Sequence, residues 1–426
     1  MKGSATNVHK KKILILCDIF PPAFAPRMGY LCKYLQDSEW EPIVVTETVP
    51  GNMFAFLTGK CKATFITFYQ TNGTWSSKLN WMKTFIADLL FDYKNRVMVK
   101  TAEKLIKENS FELILCSTYR TYPLPAALKL SQKYHLPLIV DNRDIIEQYP
   151  KEEFIGHQLP HLFGLEKVFA SFFRWKLLKD RNKVLRVANC ITTVSPWHVE
   201  CLKRYNPNVQ LIYNGFAPEL FYPKHIPSQQ FRITFTGRLV SLAMGNPGML
   251  FSAIQKLADD KIFTPKECRV DWYTDESTEK IIRQEAAKFI SVNDFQNYHR
   301  FLPANEIPDI LHQSSVLLIM CNKSNGTRMK GIMGTKFFES LGVEKPILCV
   351  QSDEDCLEAT IKETQAGVAA RTEQDVYDFL LETYSQWKEQ GFTSVSVRKD
   401  VINKYSRKEQ AKQFIQLFNT FAKNNG

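Results

Sequence analysis

Apolar runs recur along this chain at intervals that fit a strand, a helix and another strand. Lys12-Ile-Leu-Ile-Leu-Cys17 is continuous and closes on Asp18, the pattern of a strand buried on both faces. A helix is expected from about 29–35, and Glu41-Pro-Ile-Val-Val-Thr46 reads as the next strand, with another over 62–69. A long helix is expected over 81–107, followed by the strand Phe111-Glu-Leu-Ile-Leu-Cys116. Helix 126–134 leads to Leu136-Pro-Leu-Ile-Val140, and Asn189-Cys-Ile-Thr-Thr-Val194 ends this half.

The alternation restarts beyond Asn214-Gly215 and a stretch punctuated by Pro218, Pro223 and Pro227, where a linker is expected. Phe231-Arg-Ile-Thr-Phe-Thr236 opens the second series, with Arg269-Val-Asp-Trp-Tyr273, Val316-Leu-Leu-Ile-Met320 and Pro346-Ile-Leu-Cys-Val350 as later strands. A short strand is expected near 298–301. Helices are expected over 248–258, 277–289, 304–313, 336–342 and 408–423. Two such series predict an α/β protein of two doubly wound, Rossmann-like parallel-sheet domains facing an interdomain cleft. The boundaries are set at 1–220 and 221–400, with a terminal helix in 401–426 packing back on the first domain. Ligands in such sheets bind beyond the strands' carboxyl ends. Asp18, 141–144, Gly237-Arg238 and the loop 321–335 therefore become candidate walls.

A length of 426 residues suits two domains, and 44% apolar with 23% charged residues is a globular composition. Ten scattered cysteines include no Cys-x-x-Cys pair and read as reduced thiols. The polar, basic opening and the strand-sized apolar run behind it predict no export signal, hence a cytoplasmic protein. The formal net charge of +11 suits an anionic partner: phosphate, nucleic acid or an acidic membrane.

The richest segment is Lys330-Gly-Ile-Met-Gly-Thr-Lys336-Phe-Phe-Glu339. A strand feeds a loop carrying Gly326, Gly331 and Gly334, and Thr335 is expected to cap the next helix. A helix start offers N–H groups and a positive dipole end to an anion, and Lys336 adds a full charge there. Glu339 lies one turn on, on the same face. A cation for phosphate beside a carboxylate for sugar hydroxyls suits a nucleoside diphosphate. An ordinary surface Lys–Glu pair behind a capped helix is the alternative.

This segment resembles the nucleotide-binding signature of glycosyltransferase family 4, in its bacterial polysaccharide-assembly form. Lys12-Ile-Leu-Ile-Leu-Cys-Asp-Ile-Phe-Pro-Pro22, Ala188-Asn-Cys-Ile-Thr-Thr-Val-Ser195, Ile212-Tyr-Asn-Gly-Phe216 and Thr236-Gly-Arg238 resemble other family signatures in order. The resemblance implies a GT-B fold and transfer of a hexose-type sugar from a nucleotide sugar, with retention, to a glycan or polyprenyl-linked acceptor. It implies a UDP-sugar rather than a GDP-sugar as substrate, no cofactor, no bound metal and no nucleic-acid partner. Gly237, Arg238, Lys330, Gly331, Gly334, Thr335, Lys336 and Glu339 fall on the donor site, with Glu339 on the ribose. Asp141, Arg143 and Asp144 fall where sugar and acceptor meet, and Arg27 on the acceptor or phosphate side. Two positions depart from the family: Gly331 replaces the first of its paired glutamates, and 239–248 contains no basic residue. Lys330 and Lys336 are expected to supply that charge.

Each feature has a plainer counterpart. Asp141-Asn-Arg-Asp144 fits either an acid–base group or a salt-bridged loop clamp, with Arg143 holding Asp144 or meeting a phosphate. Asp353-Glu-Asp355 has a metal-binding form but reads better as a solvated turn. His157 and His161 lack a third ligand. The absence of a Walker loop and of G-x-G-x-x-G disfavours a P-loop NTPase and a standard dehydrogenase. The stretch 162–186 joins Phe172, Phe173 and Trp175 to seven basic residues. It fits a helix lying on an anionic membrane's inner face, or a core-facing helix with a solvated basic side. An epimerase or hydrolase of the same fold, or a non-catalytic scaffold, remains an alternative to a transferase.

Overall fold

The computed structural model describes residues 10–69, 73, 75–149, 154, 165–239, 241–321 and 332–422. The chain forms two compact units: one holds the residues up to Tyr213 and those from Gln410 on, the other Asn214–Glu409.

In the first unit, β1 (Lys11–Cys17) leads through α1 (Pro26–Leu35) to β2 (Trp40–Glu47) and β3 (Lys62–Ile66). Helices α2 (Trp75–Phe91) and α3 (Tyr93–Glu108) precede β4 (Phe111–Thr118), α4 (Leu124–Tyr134) and β5 (Leu138–Asn142). Then come α5 (Leu165–Leu185), β6 (Cys190–Thr193), α6 (Pro196–Leu202) and β7 (Val209–Leu211). The seven strands are ordered β3-β2-β1-β4-β5-β6-β7, all parallel.

In the second, β8 (Phe231–Thr236), α7 (Gly248–Asp259), β9 (Cys268–Tyr273), α8 (Glu276–Ala286) and β10 (Gln296–His299) form the first half. The second half is α9 (Ile307–His312), β11 (Val316–Met320), α10 (Thr335–Val343), β12 (Ile347–Val350), α11 (Cys356–Thr364) and β13 (Gly367–Ala370). Helices α12 (Glu373–Gln390), α13 (Lys399–Ile402) and α14 (Arg407–Ala422) close the chain's described part. This sheet is ordered β10-β9-β8-β11-β12-β13 and is again parallel throughout.

The apolar runs become central strands because both faces are covered. Leu14 and Leu16 of β1 join a core with Met98, Val99 and Ala102 of α3 and Leu124 and Ala127 of α4. Ile13, Ile15 and Cys17 face the other way, against Leu31 of α1 and Phe414, Leu417 and Phe418 of α14. Trp40 packs edge-on to Phe418 at 5.4 Å. The second unit's core gathers Ile233, Phe235, Trp272 and Leu318 under Phe251 of α7 and Leu380 of α12.

The structure differs from the expected elements in places. The helix expected over 81–107 begins at Trp75 and is two helices broken at Asp92, whose φ is +53°. The Asp88 carboxylate accepts the Lys94 N–H at 2.8 Å and Asp92 accepts from the Asn95 side chain at 2.7 Å, so local side chains replace helical bonds. Strands β7 and β13 and helices α6, α11, α12 and α13 add to the expected set. Helix α12 carries a plain signal, a Thr372–Asp375 capping box at its start and Gly391 at φ +76° at its end.

Candidate functional site

In an open parallel sheet the strand order reverses at one point, and the crevice there receives ligands. In the second unit that point lies between β8 and β11. Strand β8 runs into Gly237, at φ +144°, whose carbonyl accepts a hydrogen bond from the Thr274 hydroxyl. A Cβ at Gly237 would lie 1.6 Å from the Lys336 Nζ. The ammonium therefore rests on the glycine's bare Cα, a seat that another residue would fill.

Lys336 is on the first turn of α10 and Glu339 one turn on. Neither side chain makes a hydrogen bond or an ion pair with a described residue, though each feels the other's charge. Burial pulls the Lys336 ammonium down to about 8, against the pull of Glu339, and Arg238 lowers it further. Burial pushes Glu339 up to about 7, opposed by Arg407 and Lys336. Both residues are nonetheless part-exposed. Charges raised in energy by desolvation, with no hydrogen-bond or ion-pair partner among the described residues, are suited to meeting a charged, hydroxyl-bearing ligand.

Arg238 follows Gly237. Its guanidinium pairs with Asp275 at 2.9 Å and lies 5.2 Å over the Phe301 ring. Asp275 itself caps α8 by accepting the Thr278 N–H at 2.9 Å. Thr335 is not the cap expected of it: it is the first helical residue of α10, and Gly334 holds the preceding position without a side-chain bond. Among the described residues, its chain neighbours apart, none places a heavy atom within 4 Å of where a Cβ at Gly334 would be. Lys330 and Gly331, like Gly326, lie outside the described residues, as do His157 and His161.

The expected residues of the first unit form a different arrangement. Asp141, the fourth residue of β5, is fully buried. It accepts hydrogen bonds from Arg27 at 3.0 Å, Ser117 at 2.9 Å and Thr192 at 2.7 Å. Arg27 is 2% exposed and also donates to the Ile212 and Tyr213 carbonyls, each at 2.9 Å. Both residues were expected at a reacting or phosphate-binding surface. With their charges spent on each other in the interior, they are a clamp joining α1, β5 and the segment after β7. Arg143 pairs with Asp18 rather than Asp144. Asp18, at the end of β1, also accepts from the Thr118 hydroxyl at 3.0 Å and the Tyr119 N–H at 3.1 Å. This cluster marks the first sheet's own reversal, between β1 and β4. Asp144 accepts from the Gln148 amide at 3.0 Å.

Asp353 takes the N–H groups of Asp355, Leu357 and Glu358 at 3.1, 2.9 and 3.0 Å. The expected solvated turn is thus a largely buried cap on α11, which leaves this carboxylate occupied. Among the described residues no group of three His, Cys, Asp or Glu side chains is placed to hold a metal ion.

No family model matches this sequence, and no curated protein matches it. Solved structures do. Sucrose-phosphate synthase from Thermosynechococcus elongatus matches 96% of this chain and 99% of its own at a TM-score of 0.62 and 13% identity. HepE from Anabaena, solved with UDP and glucose, matches 96% of this chain and all of its own at 0.62 and 12%. MnaA from S. aureus, solved with UDP, matches 95% of each chain at 0.52 and 15%. The chain has the GT-B fold. At these identities the likeness carries the GT-B architecture alone and does not single out family 4. Sequence reasoning placed Asp18 on a candidate wall and missed Asp275, Phe301 and Arg407. Asp275 carried a signal, an acidic residue three before Thr278 at a strand's end; Arg407 lies far along the chain from Glu339 and carried none.

Proposed function

We propose that this protein is a glycosyltransferase moving a hexose-type sugar from a nucleoside-diphosphate sugar, UDP-linked rather than GDP-linked, to a hydroxyl of a glycan or lipid-linked acceptor. The observation behind this is the pair Lys336 and Glu339, desolvated and without a hydrogen-bond or ion-pair partner among the described residues, beside the bare Cα of Gly237 at the second sheet's reversal point. In this reading Lys336 and Arg238, with the start of α10, meet the diphosphate and stabilise its departing charge. Glu339, with Arg407 close enough to favour its charged form, accepts from the ribose hydroxyls. These fixed cations stand where a divalent ion would otherwise neutralise the leaving group, so turnover proceeds without added metal. Retention at the anomeric carbon rests on the family resemblance.

The solved UDP complexes of HepE and MnaA support a UDP-linked donor. A second reading has one specific support: solved structures described as UDP-N-acetylglucosamine 2-epimerase share the fold, at a TM-score of 0.52 in one case. One experiment separates the two. A panel of UDP- and GDP-sugars is screened by thermal shift, and the binders are incubated with and without glycan and polyprenyl-linked acceptors in chelator. Transfer product that requires the acceptor supports the proposal. An isomerised nucleotide sugar formed without acceptor favours the epimerase. If no nucleotide sugar raises the melting temperature, the donor site is wrongly assigned.

A further inference from the structure

Helix α2 inverts the usual order of a surface helix. A helix packed on a globular core turns an apolar stripe inward and polar residues outward. In α2 the buried positions are Ser77 and Thr84, and Thr84 donates to the Phe68 carbonyl. Outward stand Trp75, Leu79, Met82, Ile86 and Leu90, spaced by four, three, four and four residues. At ~100° per residue these form one stripe opposite the buried Ser–Thr side, with Lys78 and Lys83 on its two flanks. Trp75 is 82% and Leu90 65% exposed.

Helix α5 extends the same surface. Phe85 of α2 meets Phe169 of α5 with ring centroids 6.5 Å apart, and Trp81 stacks on Phe85 at 5.3 Å. Val168, Phe172 and Trp175 are exposed in a second, shorter stripe. The Lys179 ammonium lies 4.8 Å over the Trp175 ring. Acidic charge is largely withdrawn: Asp88 is half-buried against the Lys94 N–H, and Asp180 pairs with Lys176. Within the 162–186 stretch, Arg174 donates to backbone carbonyls and Arg181 is buried against Glu147, so these two of its seven basic residues are engaged within the protein.

We propose that α2, together with the Phe172–Trp175 end of α5, seats the protein on the surface of an anionic lipid bilayer. The apolar stripe enters the interfacial layer, the tryptophans lie at headgroup depth, and Lys78, Lys83 and Lys179 meet lipid phosphates. Among the described residues no helix is long and apolar enough to cross a membrane, so the contact lies on one leaflet. Charge decides between a bilayer and a second copy of this chain. A two-fold contact sets a patch against itself, so the lysine flanks would face lysines, whereas an anionic surface answers all of them. This proposal stands apart from the sugar-transfer reading and does not depend on it.

The full-length protein is floated with vesicles of phosphatidylcholine alone and of phosphatidylcholine with 30% phosphatidylglycerol, at low and high salt. Binding is expected to the anionic vesicles and to weaken with salt. Met82→Glu/Ile86→Glu is expected to lower it at least tenfold, and Lys78→Glu/Lys83→Glu several-fold, with unchanged circular dichroism. Ile290→Glu, at a position 95% exposed in the other unit, is expected to change nothing. Should Met82→Glu/Ile86→Glu not fold, the charge-reversal variant carries the test alone. Failure of the wild type to float at low salt overturns the proposal, as does wild-type binding by both α2 variants. A concentration-dependent dimer in ultracentrifugation, abolished by Ile86→Glu, overturns it in favour of self-association.

Discussion

In the first unit, charges near the strand ends satisfy one another: Arg27 is locked to Asp141 and Arg143 to Asp18, each pair ringed by further hydrogen bonds. In the second, Lys336 and Glu339 sit where burial raises the energy of both charges, yet neither has a hydrogen-bond or ion-pair partner among the described residues. The two sheets share a topology and place charge at equivalent reversal points. What separates the two arrangements is therefore whether the described residues complete the charge themselves, and the proposed binding role rests on that difference. A completed pair stabilises its geometry and has little left to offer a ligand. An incomplete one taxes the fold and is repaid on binding.

The contrast breaks most visibly at the clamp. Asp141→Ala leaves the Arg27 guanidinium buried without its carboxylate, and breaking such a pair costs about 3–5 kcal/mol. Urea unfolding should show a loss of that order, with Arg27→Ala/Asp141→Ala less damaging than the two single losses added. A loss below ~1 kcal/mol would place the pair among ordinary surface bridges.

At the other site the same kind of change should spare the fold and harm the ligand. Lys336→Ala should lower affinity for UDP about ten- to a hundredfold, the worth of a hydrogen bond to a charged group at ~1.5–3 kcal/mol, and leave uridine binding nearly intact. Glu339→Gln should weaken uridine and UDP alike. Both variants should unfold at denaturant concentrations no lower than the wild type. Titration calorimetry showing equal loss of UDP and uridine in Lys336→Ala would remove that residue from the diphosphate.

The smallest effect sharpens the comparison through pH. Folding lowers Lys336 from 10.5 to about 8, so its ammonium is intact below that value and lost above it. UDP affinity should fall about threefold between roughly pH 7.5 and 8.5, and Lys336→Ala should flatten the profile. Glu339 is raised from 4.5 to about 7, so the folded chain holds the extra proton between those values. Its contribution to stability is full below pH 4.5 and declines as pH rises to about 7. Glu339→Gln should abolish that decline, and an unchanged stability profile would deny the burial.

Much of this was readable in the amino-acid order. The continuous apolar runs of β1, β4, β8 and β11 announce strands covered on both faces, and their spacing announces parallel sheets. The Lys336–Glu339 pair follows from helical spacing alone. Sequence could not tell that Asp141 is fully buried while Glu339 stays part-exposed, because both are acids in strand-and-helix contexts of similar pattern. That difference lies in which distant groups arrive: Arg27 and Thr192 hydrogen-bond Asp141, whereas Arg407 acts on Glu339 as a nearby charge. The stripe of α2 was hidden for another reason. Apolar spacing reveals that a helix has a face, and says nothing of whether the face turns toward the protein or away from it.

Helix α14 gives the first sheet an unusual timetable. Ile13 and Ile15 emerge early in synthesis, but Phe414, Leu417 and Phe418, which cover that side of β1, follow roughly 400 residues later. At ~5–20 residues per second the uncovered face waits some tens of seconds, a period in which every strand of the second sheet is made. The unit begun first is thus completed last. During that interval an apolar strand surface built around Trp40 lies open to chaperones or to a neighbouring nascent chain, while the second sheet has all its own covering helices from α7 to α12 in hand.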